Sequence, residues 1–196
     1  MGLNKTTTDA IFLSFKNNKI AQRVEEGGKT IQTVNPRTGE TITRNYNLFD
    51  SISGELKKVS LFEGKFGKNV KVSLLDSDEL YVIDLPLNSD YCLDFLRRLP
   101  NLNLGQSIEI KPVSVKAEKD GEVILNKEGK PVYNFYTSVK TAGQDGEMEV
   151  VKSFYSKENP LPEWKKVTVN GSTKIDRTDQ INALCESIKD FSSDEQ

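Results

Sequence analysis

A mainly β fold with minor α is predicted for this chain of 196 residues, and three observations carry the prediction. Residues 51–140 fall into the order strand, strand, strand, helix, strand, strand by hydrophobic period. Turn chemistry recurs at short intervals, at 17–18, 25–28, 35–39, 63–67, 76–78 and 170–171. Only two stretches, 91–99 and 176–188, repeat their apolar residues at helical spacing.

In chain order, residues 1–9 are polar and read as a frayed end. Ile11, Leu13 and Phe15 alternate with Phe12, Ser14 and Lys16, a strand that turns at Asn17-Asn18 into a second over 19–24. Glu25-Glu26-Gly27-Gly28 is a break before two Thr-rich pieces, 29–35 and 40–47. These first fifty residues predict a β-ribbon layered onto the rest. The central unit opens with 52–62 and alternates Val70, Val72 and Leu74 against Lys71 and Ser73 over 69–75. It reverses at Asp76-Ser77-Asp78 into 79–85. Asn88-Ser89-Asp90 caps a helix over 91–99, on which Leu93, Leu96 and Leu99 recur at helical spacing, and Pro100 ends it. Strands over 107–115 and 132–140 follow, joined by a polar excursion at 119–130. Beyond lie a β-favouring piece at 148–155, a short strand at 164–169, and a helix burying Ile181, Leu184, Cys185 and Ile188.

A single helix between the third and fourth strands is the arrangement of a small Greek-key barrel, the OB-fold. The expectation is an OB-fold-like five-stranded Greek-key β-barrel with an N-terminal β-ribbon extension and a C-terminal helix. Residues 1–190 form one domain in this reading, and 191–196 a flexible acidic tail.

Composition narrows the function classes. Histidine is absent, which removes the commonest general base and transition-metal ligand. No Walker, GxGxxG, CxxC or HExxH pattern occurs, so binding is expected and not catalysis, with no cofactor or metal. Cys92 and Cys185 read as buried free thiols, pointing to a reducing, cytoplasmic setting. No apolar run reaches the roughly 20 residues of a membrane span, and the first ten residues lack a secretory pattern. The net charge of −2 is uneven: Arg177 and Lys189 stand against Asp179, Glu186, Asp190, Asp194 and Glu195, leaving +1 on the rest of the chain. A nearly neutral body of this kind can carry a basic stripe.

Two groups of residues have the character of a single-strand binding surface. Lys57, Lys58, Lys65, Lys68 and Lys71 gather on the first two central strands and their loop, with Phe62 and Phe66 among them. Alternation puts Lys58, Ser60 and Phe62 on one face and Lys57, Val59 and Leu61 on the other. Lysines attract phosphate whatever the sequence, and an exposed ring stacks on a base for ~1–3 kcal/mol. The competing reading makes the lysines a solvated face and Phe62 core. In Tyr133-Asn134-Phe135-Tyr136, period two sets Tyr136 with Asn134, Ser138 and Lys140. Tyr136 and Lys140 are thus the preferred stacking pair, beside the reading of an ordinary edge strand.

Other constellations have plainer explanations. Arg23, Lys29, Arg37, Arg44 and Tyr46 read as polar hairpin residues, and Asp76, Asp78 and Glu79 as a turn without metal-loop spacing. Trp164, next to Lys165 and Lys166, reads first as a packing anchor and second as a stacking platform. Asp190, Phe191, Asp194 and Glu195 form an acidic end with one aromatic, suited to dock into basic pockets of partner enzymes or to compete with DNA for the protein's own groove.

Residues 52–115 and 161–184 resemble the single-stranded DNA-binding proteins of tailed bacteriophages. The residues that carry the resemblance are Ser53-Gly54-Glu55-Leu56, the Asp76-Ser77-Asp78 hairpin, FLRRLPNL over 95–102, and LPEWKKVTVNG over 161–171 before an Asp-led helix. It implies an OB-fold that coats single-stranded DNA in replication or recombination, without sequence preference, in the host cytoplasm. It also implies replication or recombination proteins as the partners of the acidic end. The chain lacks the Gly/Gln-rich linker and the Asp-Ile-Pro-Phe ending of the bacterial type. The rival expectation is a β-rich structural or assembly protein, a virion component or interaction module, without nucleic-acid affinity.

Overall fold

The computed structural model describes residues 10–192 apart from 17, 36–37, 65–66, 144 and 170–171. The expectations for residues 1–9, the turns at 17, 36–37 and 170–171, Arg37, Lys65, Phe66, Asp194 and Glu195 lie outside the described residues.

Alternating apolar residues and short turns build most of the chain into one mixed sheet. Strands β1 (Ile11–Lys16) and β2 (Lys19–Val24) form a hairpin, as do β3 (Lys29–Val34) and β4 (Thr41–Phe49). A meander of β5 (Ile52–Gly64), β6 (Gly67–Asp76) and β7 (Glu79–Pro86) leads into helix α1 (Asp90–Arg98). Then come β8 (Ser107–Lys116), the short β9 (Glu118–Lys119) and β10 (Glu122–Val123), β11 (Tyr133–Ala142) and β12 (Met148–Val150). The hairpin β13 (Lys165–Val169) and β14 (Ser172–Asp176) precedes helix α2 (Thr178–Glu186). Ten strands share the order β12-β11-β8-β5-β6-β7-β1-β2-β4-β3. Among the described residues no helix is long and apolar enough to cross a membrane.

The sheet rolls up. Laid flat, β2 and β8 would stand ~24 Å apart, five strand spacings of ~4.8 Å, yet they approach within 8 Å between Cα atoms. Twist accumulated across β8-β5-β6-β7-β1-β2 brings the two ends together. Among the described residues no ladder joins them, so a seam lies between β2 and β8. Within the central unit β5 pairs with β8, and β8 with β11, both antiparallel. The outer partner of β7 is β1, in parallel, while β11 continues to β12. The N-terminal ribbon is therefore not layered on the central unit: its strands extend the same sheet. Other boundaries differ more modestly. The β-favouring piece 148–155 yields strand only over Met148–Val150, and the excursion after β8 carries β9 and β10.

The inside of the roll is apolar because period two delivers it: Val70, Val72 and Leu74, with Ile83 and Leu85 and with Ile108 and Ile110, are fully or almost fully buried. Strand β5 breaks that period. Leu56 and Val59, three apart, are both fully buried, because Leu56 stands opposite Leu74 while Lys58 already stands opposite Ser73. Lys57 is the extra residue of a β-bulge. Just before it, a Cβ on Gly54 would meet Leu75 O at 2.9 Å, so this close approach of β5 and β6 requires glycine.

Helix α1 covers one end of the core. Ser89 Oγ accepts from the Cys92 amide at 3.2 Å, and Cys92, Phe95 and Leu96 are fully buried. A polar clamp fixes the helix to β11. Asp94 Oδ2 accepts from the Thr137 amide at 3.0 Å and from Arg98 Nη2 at 3.0 Å. Arg98 also donates through Nε to Thr137 O at 3.1 Å and through Nη1 to Val151 O at 2.8 Å. Helix α2 and the turn after it seal the remaining side with Leu184, Ile188 and Phe191. Phe191, expected in a flexible tail, is only 6% exposed, and the folded unit runs at least that far. Its exposed neighbour Asp190 still faces solvent. Both cysteines are free, Cys92 buried and Cys185 half-buried; burial pushes the Cys92 thiol well above its ordinary range.

Candidate nucleic-acid interface

On the outer face of the roll a row of side chains crosses four strands. Ser60 on β5 stands opposite Lys71 on β6, Lys71 opposite Asp84 on β7, and Asp84 opposite Ser14 on β1. Phe62 lies one pleat along β5 in one direction, opposite Asn69, and Phe12 one pleat along β1 in the other, opposite Val82. The two rings therefore flank Lys71 diagonally. Its Nζ sits 4.1 Å from the centroid of Phe62 and 5.8 Å from that of Phe12. Both rings face water, Phe62 at 47% and Phe12 at 61% exposure. Asp84, the carboxylate in this row, accepts from Asn69 Nδ2 at 2.8 Å. A cation between two exposed aromatic faces combines the two elements that single strands need, a charge for phosphate and flat surfaces for bases.

The remaining lysines distribute differently from the expectation. Lys58 is half-buried on the Phe62 side of β5, as alternation requires. Lys57 was expected to share a face with Val59 and Leu61. The bulge turns it outward instead, where its ammonium meets Glu55 Oε1 at 2.6 Å. Lys68 does not join Lys71: three residues apart on a regular strand, they point to opposite faces. Lys68 lies 3.7 Å from Glu63 and near α2, where burial pushes the Cys185 thiol up and the Lys68 charge only partly opposes that rise. Lys140 does project outward on β11, 3.9 Å from Glu109 Oε1.

The aromatics of β11 also divide. Tyr136 is half-buried on the outer face opposite Val113, so less of its ring is available than the sequence suggested. Tyr133 and Phe135, on the other parity, are 43% and 39% exposed. They continue an inner aromatic chain in which Phe15 meets Tyr91 at 5.2 Å and Tyr91 meets Phe135 at 5.5 Å. Trp164 is not a buried anchor: it is 48% exposed, with Lys166 Nζ 5.9 Å from its ring. The hairpin that follows it is tied to α2 by Lys165 and Asp179 at 2.7 Å, a contact that raises the lysine pKa.

Sequence reasoning missed Phe12. Its place in an alternating strand was visible, but which face it joins is decided by the pairing of β1 with β7, between segments 70 residues apart. A cavity of about 420 Å³ opens between β1, β2, the corner from Phe49 to Ser53 that joins β4 to β5, and the β6–β7 hairpin. Asp76 and Glu79 line it and no lysine or arginine does, so its field repels phosphate and it lies outside the interface. Asp76, Asp78 and Glu79 belong to the β6–β7 hairpin, with Ser77 in the left-handed conformation at φ 55°. Among the described residues no cluster of side chains is arranged to hold a metal ion. No family model matches the chain, and no curated protein or solved structure matches it either.

Proposed function

We propose that this protein binds single-stranded DNA without sequence preference and has no catalytic role. The observation that carries the reading is Lys71 held between the exposed rings of Phe62 and Phe12. Exposed phenyl rings on a sheet face are unfavourable in water unless something covers them, and a base supplies a matching flat surface. Lys58 and Lys140 add positive charge on the outward face, and Tyr136 a partial ring edge. In this reading the rolled sheet with α1 at one end is an OB-like barrel whose seam is formed by β2 and β8. The face of its second and third central strands is the one on which OB-folds take oligonucleotides. Protection of replication or recombination intermediates, in a phage-infected cytoplasm, is the role that such binding serves.

One observation favours the rival, a β-rich assembly protein. The arm between β8 and β11 exposes Val123, Ile124, Leu125 and Val132 together, the kind of surface that packs against another protein. Titration into a labelled oligothymidine of about 30 nucleotides, with duplex DNA and single-stranded RNA in parallel, separates the two. Salt-sensitive anisotropy change on the single strand and weak change on duplex supports DNA binding. No change at micromolar protein in low salt rejects it in favour of assembly.

A further inference from the structure

The ten-stranded sheet has two edges, β12 and β3, and they are finished differently. An open edge offers unpaired amides and carbonyls to any extended chain, and folds usually blunt it by shortness, charge, proline or a bulge. Strand β12 is blunted: three residues, with Glu149 in the middle. Strand β3 is not. It has six residues, Lys29-Thr30-Ile31-Gln32-Thr33-Val34, with no proline, and its single charge stands at the first position. Its ladder to β4 runs without a register shift.

The hydrogen-bond parity of this edge can be assigned. The Asn35 amide donates to Glu40 O at 2.8 Å, continuing the register in which Val34 faces Thr41. Bonding alternates along an antiparallel pair, so Ile31 and Thr33 bond to β4 while Thr30, Gln32 and Val34 direct their amides and carbonyls outward. All three are exposed, Val34 at 64%, and among the described residues no strand lies beyond them.

We infer that this edge joins the same edge of a second copy, in an antiparallel pair about a two-fold axis through Gln32. Only residues of equal parity can pair, so an axis on Gln32 sets Gln32 against Gln32 and Thr30 against Val34 of the other copy, closing about six hydrogen bonds. An axis on Ile31 would use only Thr30 and Gln32. Ile31 then packs beside Thr33 of the second copy, and the lysine at the end of one strand meets no lysine of the other. The self-complementary register and the absence of opposed like charges identify the occupant as another copy of this chain. The contact is small, so association is weak and concentration-dependent. This inference is independent of the DNA-binding proposal, because no residue of the Lys71 row takes part.

Light scattering on the full chain at about 100 µM, the range where small interfaces fill, tests it. The expected mass is twice the 22.0 kDa of one chain, falling to 22.0 kDa on dilution. Gln32→Lys puts two ammonium groups face to face on the axis and weakens the dimer about tenfold or more. Gln32→Pro removes an outward N–H that the β4 ladder does not use and gives the same result with the fold retained. A wild-type chain that stays at 22.0 kDa overturns the inference. So does a dimer that Gln32→Lys leaves intact, whichever surface holds it.

Discussion

Arg98 and Lys71 are both cations on the same sheet-and-helix framework, and their surroundings are opposite. The Arg98 and Asp94 side chains are each only 16% exposed, and the guanidinium spends its donors on Asp94, Thr137 O and Val151 O. Lys71 has aromatic faces beside it and, among the described residues, no carboxylate within ion-pair distance. A cation whose hydrogen bonds are all made inside the fold holds structure, whereas one flanked by exposed rings retains donors for a ligand. Charge on this protein is thus structural at Arg98 and turned toward solvent and aromatic faces at Lys71.

Breaking the structural side gives the largest effect. Arg98→Ala leaves Asp94 buried without its cation and two carbonyls without donors, and should lower the unfolding free energy by about 3 kcal/mol, read by urea denaturation. Oligothymidine affinity per folded molecule should stay within about twofold, since no Lys71-row contact is lost. The next largest effects lie on the ligand side. Phe62→Ala and Phe12→Ala should each weaken oligothymidine binding by ~1–3 kcal/mol in anisotropy titrations while shifting stability by less than about 1 kcal/mol. Phe12 is the sharper test, because only the three-dimensional pairing singles it out. Smaller again, Lys71→Glu should cost about tenfold in affinity and reduce the salt slope by about 1. Lys68→Glu, on the other face, should leave both nearly unchanged. The smallest effect concerns Trp164: its indole should be readily quenched by acrylamide in the native state, as its 48% exposure requires, and a protected indole would mean that the ring is covered in solution.

How much of this was legible in the sequence depends on whether the deciding interaction is local. Helix α1 was legible because Ser89, the leucine spacing and Pro100 act within a few residues of one another. The strands β5 to β8 and β11 were legible by period two. The bulge at Lys57 was not, since it exists only in the register of β5 against β6, and it moved Lys57 off the Val59 face. The separation of Lys68 from Lys71 was readable from strand parity alone, and composition obscured it by counting them as one cluster. Phe191 carried a signal too. Leu184, Ile188 and Phe191 continue the spacing of a buried helical face, and a 3-10 turn over Lys189–Phe191 returns the ring to the core. The parallel pairing of β1 with β7 had no local signature, and with it went the place of Phe12.

Ultraviolet cross-linking of oligothymidine to the full chain, with the adducts mapped by mass spectrometry, would read out whether bases stack on the rings beside Lys71. Adducts are expected on Phe62 and Phe12, lost in high salt and competed by unlabelled single strand. Adducts confined to Tyr133, Phe135 or Trp164, or none at a concentration that saturates anisotropy, would contradict stacking there.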